Sequence, residues 1–421
     1  MMKKQWISIL IVGMSFATAW AIRGQFGHEP GASWAAGIGA LALVLVAQRK
    51  DWFAKILPIA LASMVGWGGC GMISYGIVVG YGRNVDFVNA AYGLVMLFVI
   101  GGLFGLLGGG LVGLTLDSSK KKPVYWNSLM AEMVAGGVVG YYLLIQAFGF
   151  LMTPPRSEAW AVCLGAGLAM IWYMVRNEHK APLRVAYFAA MGAGFGFGFG
   201  NVLQILGDIL AIQFNMWNVM EYSIGFFGGS GMAYGVFSSV WPEESTAPQK
   251  WQNKFAYFVV FLLIPYMVFS NSNLIQVFFN TPKAESLPAA SLCGSTIAVL
   301  LLFALAILGW KKSVLSNGEI TRSSILQLFL AYWATYIFLS YGLTGGFRGN
   351  FMLNHHLYVL NFIVVALLVR QNRAAFVEIP TANVDSKNWL KYTLFIVALL
   401  VFLAFILIHL HGDIGGKNAR F

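Results

Sequence analysis

Long apolar blocks separated by short polar segments run through the whole chain, with neither strand-like alternation nor a polar helical face. Blocks of this length match the ~20 residues that a helix needs to cross the hydrocarbon of a bilayer. They predict thirteen spans, near Ile7–Ile22, Ala32–Ala47, Ile56–Gly80, Val88–Leu114, Met130–Leu151, Ala159–Val175, Val185–Leu206, Met220–Val240, Phe255–Phe269, Ala289–Leu308, Ile325–Thr344, His356–Val369 and Leu394–His409. The predicted fold class is an all-α polytopic membrane protein.

Composition agrees with the pattern. The 421 residues are 58% hydrophobic and 10% charged, with a mean hydropathy of +0.71. A soluble domain carries about 25% charged residues, so the lipid bilayer is the expected solvent. The net charge of +11 does not point to nucleic acid, because the basic residues sit in small clusters between apolar blocks and not on one face of a soluble domain. Cys70, Cys163 and Cys293 each fall in an apolar segment and read as small buried hydrophobes. No metal-ligand spacing and no Walker motif occur, so no cofactor is expected. Lys3, Lys4 and the apolar run to Ala21 resemble a signal peptide, but the segment is read as a retained first span.

The basic residues fix an expected orientation. With the N-terminus inside, only Arg23, Arg83, Arg156, Lys283, Arg348, Lys417 and Arg420 of the 27 lysines and arginines lie outside. This inward bias predicts a bacterial cytoplasmic (inner) membrane protein with its C-terminus outside.

Parts of the sequence echo one another. Ser340-Tyr341-Gly342, followed by Arg348-Gly349-Asn350, has a near-copy in Ser74-Tyr75-Gly76, followed by Arg83-Asn84. Ser33-Trp34-Ala35 resembles Ala159-Trp160-Ala161, and Gly66-Trp67-Gly68-Gly69 resembles the Gly194–Gly200 run. These echoes suggest three parallel four-helix repeats, over 1–125, 126–250 and 251–375, followed by a loop and final helix over 376–421. Glycine-rich membrane helices also look alike simply because glycine permits close approach.

In this topology the unusual polar residues collect on the outer side: Arg23, Gln25, His28 and Glu29; Tyr75 and Arg83; Asn201, Gln204, Asp208 and Glu221; Tyr341, Arg348, Asn350, His355 and His356. Polar groups this close to hydrocarbon face a cavity or one another. Arg23-Gly24-Gln25-Phe26 and Arg348-Gly349-Asn350-Phe351 share an arginine and an amide, a pairing suited to a carboxylate, sulfate or phosphate. The structural alternative is an Arg–Glu pair, Arg23 with Glu29 or Arg348 with Glu221. His355 and His356 are adjacent, about 100° apart on a helix, so only one of them can face a given site.

Two functions follow as expectations. The first is a secondary transporter of a small polar or anionic solute, ion- or proton-coupled. In it Arg23, Gln25, Tyr75, Arg83, Asn201, Gln204, Tyr341, Arg348 and Asn350 bind the solute, and Glu29, Asp208 or Glu221 carries the coupling. The second is a membrane-embedded enzyme acting on a lipid-linked or cell-envelope substrate, with His28, Glu29, His355 or His356 as general base.

Overall fold

The computed structural model describes residues 2–244, 246–271, 289–315, 320–345, 352–372 and 386–421. Every regular element among them is helical. Among the described residues eleven helices are long and apolar enough to cross a bilayer, and one bent pair of helices passes the same test when its two parts are taken together. The outward faces are apolar: Val134 and Val139 on one helix and Phe395 on another are each more than half exposed. Contiguous exposed apolar surface on this scale belongs against lipid.

The core is a closed circuit of helices, each resting on the next. It runs through α1 (Met2–Arg23), α2 (His28–Ala47), α4 (Ile56–Gly69), α6 (Phe87–Asp117), α9 (Lys180–Ile209) and α10 (Met216–Phe237), and from α10 back to α1. A short α3 (Lys50–Ala54) joins α2 to α4. Outside the circuit lie the α7–α8 hairpin (Trp126–Tyr141 and Ala159–Arg176), α11 (Lys250–Asn271), α12 (Ala289–Gly309), α13 (Arg322–Phe338), α14 (Leu353–Gln371) and α15 (Trp389–Leu410). The first proposed repeat thus lies wholly in the circuit, the second contributes two helices to it, and the helices of the third lie outside.

The thirteen-span expectation differs from the structure at two places. The predicted Met220–Val240 span corresponds to α10, which has 22 residues but carries Asn218, Glu221, Ser223 and Ser230 and is not among the eleven apolar helices. The predicted Ile56–Gly80 span is not one rod. It runs as α4, a 3-10 turn over Cys70–Met72, a non-helical break at Ile73–Tyr75, and then α5 (Gly76–Gly82), with a bend of 71°. Glycine explains where it breaks: at Gly71 the chain lies so close to the start of α2 that a Cβ would sit 2.8 Å from the Glu29 Cα and the His28 carbonyl.

Small residues line the seam between α6 and α9. Gly101, Gly105, Gly109 and Gly113 recur every fourth position on α6, so one face of the helix is bare backbone. That face lies directly on Ala193, Ala189, Val185 and Pro182 of α9. Such a surface lets two helices approach closely in lipid.

Candidate functional site

Aromatic rings pack together inside the circuit. Phe16, Trp20, Trp67 and Phe104, all buried, meet edge to face with centroids 4.8–5.6 Å apart. Gly108 makes room for the Trp67 indole, which a Cβ there would overlap. Above this layer, at the end of the bundle that carries the α1–α2 turn, opens a cavity of about 1250 Å³.

Arg23, the last residue of α1, stands at the cavity floor with no exposure at all. Its Nε donates to Glu221 Oε2 at 3.0 Å and its Nη2 to Glu221 Oε1 at 3.1 Å, a two-pronged grip across 198 residues of sequence. Nη2 also donates to the Tyr75 hydroxyl at 3.0 Å, and Tyr75 in turn donates to Glu221 Oε1 at 2.8 Å. Nη1 lies 3.3 Å from His28 Nδ1, which is 3.5 Å from the Tyr75 oxygen. The guanidinium carbon sits 4.7 Å from the Trp20 ring centroid, 5.6 Å from that of Tyr75 and 6.0 Å from that of Phe104. Arg23 thus pairs not with Glu29 but with Glu221 on α10, the carboxylate expected to partner Arg348.

Each member has a positional cause. Arg23 and His28 flank the tight turn that ends α1 and begins α2. Tyr75 is presented by the break between α4 and α5, the last residue before the helix resumes. Glu221 lies less than two turns into α10, whose start is fixed by the Asn215 side chain accepting from the Asn218 amide. Asn218 then spans to the Ala21 carbonyl at 2.8 Å and the Tyr358 hydroxyl at 2.5 Å, tying α10 to α1 and α14.

The structure therefore brings together Arg23, Gln25, His28, Glu29, Tyr75 and Glu221; all but the fully buried Arg23 line the cavity. Gln25 is held at its rim by Ser340 Oγ at 2.7 Å and Thr344 Oγ1 at 2.9 Å, and Thr344 also meets His355 Nε2 at 3.2 Å. His355 is buried, while its neighbour His356 is exposed and lies 3.3 Å from the Tyr341 hydroxyl. Neither histidine lines the cavity. Arg348 and Asn350 lie outside the described residues.

A second group stands apart. Arg83 pairs with Asp208 and donates through Nε to the Gly415 carbonyl at 2.9 Å. Asn201 Nδ2 donates to Gln204 Oε1 at 3.1 Å; both side chains are buried, and Asn201 lies beside Gly82. None of these four lines the cavity.

Sequence reasoning left out several cavity residues, notably Arg156, Asn215 and Asn418. The Asn215–Asn218 spacing is a helix-cap signal that pointed to the start of α10. Asn418 had no such signal: it belongs to a tail that folds back over the cavity end. Its amide donates to the Gly80 carbonyl at 2.9 Å, and its carbonyl accepts from Asn84 Nδ2 at 2.7 Å. The opposite end of the bundle has its own polar cluster, also unforeseen: buried Asp117 with buried His179 at 2.7 Å and with Lys122 at 3.4 Å.

Cys70 and Cys163 are buried as expected, but Cys293 is exposed near the start of α12. Among the described residues no group of three or more His, Cys, Asp or Glu side chains is placed to hold a metal ion. No protein-family model, curated protein or solved structure matches the chain.

Proposed function

We propose that this chain is a secondary transporter of a small polar or anionic solute, ion- or proton-coupled, with its binding site in the cavity above Arg23 and Glu221. The observation that carries the reading is the α4–α5 break. Ile73, Ser74 and Tyr75 interrupt a spanning helix at the cavity wall, next to a buried charge pair. Broken helices of this kind are how transporters offer backbone groups to a solute inside the membrane. In this reading Arg23 is the solute clamp and Glu221 the leading coupling carboxylate, with Glu29 and Asp208 behind it. Arg83 is already committed to Asp208, which weakens its claim as a clamp.

The finer topology belongs to the same proposal. Counting α10 and the bent pair as spans gives thirteen, with the N-terminus inside, the cavity and the C-terminus outside, and an inner (cytoplasmic) bacterial membrane as the location. The three-repeat organisation rests on the sequence echoes alone.

Counterflow in proteoliposomes tests this reading with labelled lactate, gluconate and sulfate. Exchange of at least one of them, abolished by Arg23→Ala at equal protein insertion, is the expected result. No exchange of any probe counts against transport.

One observation favours a second reading, a membrane-embedded enzyme acting on a lipid-linked or cell-envelope substrate. The cavity is lined by residues from one end of the bundle only. His28 and Glu29, both exposed in the cavity, would then be the general-base candidates. A cysteine at Ser74, in a chain lacking Cys293, separates the two. Labelling from one side under all conditions favours the enzyme, and labelling from both sides favours transport.

A further inference from the structure

We infer that Arg23 exchanges partners when the cavity fills: an anionic ligand group replaces Glu221 in its grip, and Glu221 leaves as the neutral acid, taking up one proton for each ligand bound. This deepens the transport reading by naming the coupling ion, and it rests on that reading for its role in transport.

The argument begins with charge. Arginine does not lose its proton in a protein, and Arg23 is wholly buried, with aromatic rings around its guanidinium. An isolated charge in such a place is strongly disfavoured, so Arg23 always needs one counter-anion. Two anions there would be as unbalanced as none. Access points the same way: Arg23 itself is unexposed, whereas Glu221 lines the cavity with 9% of its side chain exposed. A ligand reaches the guanidinium only by taking the place of Glu221.

The proton has a short route. His28 is exposed in the cavity, and its Nδ1 lies 3.5 Å from the Tyr75 oxygen. Tyr75 already donates its hydroxyl proton to Glu221 Oε1. A proton taken by His28 from cavity water passes to the Tyr75 oxygen as the original hydroxyl proton moves onto Glu221. Tyr75 ends as a phenol, His28 as neutral imidazole and Glu221 as a carboxylic acid, so the net change is one proton from water to Glu221. His28 does not retain it, because the Arg23 guanidinium 3.3 Å away repels an imidazolium. The other titratable groups facing Glu221 are Tyr358 from α14 and, across the cavity, Glu29 and Arg156; Tyr336 stands behind Arg23. Glu29 is the competing proton acceptor.

The experiment counts protons. Purified protein in detergent and weak buffer with a pH indicator receives lactate, gluconate or sulfate, and binding is followed by tryptophan fluorescence. The expected result is one proton taken up per monovalent anion bound, in the unaltered protein and in Glu29→Gln. Glu221→Gln binds the same anion at least tenfold more tightly with no proton uptake. Tyr75→Phe, which keeps the charge pair, slows the uptake without changing the count, so the result does not depend on Glu221→Gln folding. Binding without proton uptake in the unaltered protein, uptake unchanged in Glu221→Gln, or no binding of any probe overturns the inference. Proton-linked binding in detergent with no counterflow in vesicles overturns transport alone, and counterflow without proton uptake overturns the partner exchange alone.

Discussion

Trp20 and Arg23 lie one turn apart on α1, and the guanidinium folds back over the indole with its carbon 4.7 Å from the ring centroid. A cation over the indole face is attracted by the ring quadrupole, the more so without water. The two residues thus join the polar site to the aromatic layer beneath it, and Trp20 reports on the charge that Glu221 balances.

Removing one partner of the Arg23–Glu221 pair leaves the other charge buried and alone. Arg23→Met and Glu221→Met are each expected to lower stability by about 3–5 kcal/mol, and the double variant to recover most of that loss. Thermal unfolding in detergent, read by tryptophan fluorescence, checks this. A double variant that loses as much as the two single variants added together would show that the pair is not energetically coupled.

The α6–α9 seam makes two neighbouring glycines behave oppositely. At Gly105 a Cβ collides with the Ala189 carbonyl, whereas at Gly102 the nearest atom of the facing helix is 3.8 Å away. Gly105→Ala is expected to cost about 1–3 kcal/mol through backbone displacement. Gly102→Ala is expected to be neutral or to gain up to about 1 kcal/mol from reduced chain entropy. Paired melting curves of the two variants decide it.

Lys55 gives a pH signature at the other end of the bundle. It is buried and donates to the Thr115 and Ser118 carbonyls at 3.0 and 2.7 Å. Burial, opposed by Asp51 and Asp117 and assisted by Arg49, pushes its ammonium down from 10.5 to about 8. Between those two values the unfolded chain holds a proton that the folded chain has released. Stability from this group therefore rises as pH climbs from about 8 to 10.5, by at most about 3 kcal/mol. The difference in melting temperature between the unaltered protein and Lys55→Met should grow across that window; a flat difference would contradict it.

The tail is held chiefly by Asn89. Its Oδ1 accepts from the Arg420 and Phe421 amides at 2.5 and 3.1 Å, and its Nδ2 donates to Asp86 at 2.8 Å. Asn89→Ala is expected to cost about 1–3 kcal/mol locally and to release residues 415–421. Faster amide exchange there, with melting of the bundle little changed, is the predicted outcome.

Much of the helical frame was legible in the apolar blocks, because burying a backbone in lipid leaves few choices besides helix. The site was legible in its ingredients: Arg23, His28, Tyr75 and Glu221 stood out as costly polar groups near hydrocarbon. Their pairing was not, because the Arg23–Glu221 bond depends on α10 closing the circuit against α1, and no spacing in the sequence encodes that contact. The α4–α5 break was hidden for a related reason. Gly66 to Gly71 permit a bend, but the close approach of α2 decides where it falls. Asn418 was invisible because its role comes from a tail whose partners, Gly80 and Asn84, lie more than three hundred residues earlier.

The glycine face of α6 bears on how this molecule can move. Helices that interlock through large side chains must lift apart before they shift, whereas the bare face of α6 meets mostly small side chains of α9 and has no knobs of its own to disengage. Parting them would expose carbonyls to lipid, which is costly, while sliding one along the other keeps those groups covered. The seam thus resists opening but offers little friction to shear. Any rearrangement of the circuit would then proceed by axial slip of α9 against α6, with the aromatic layer carried along as a rigid block.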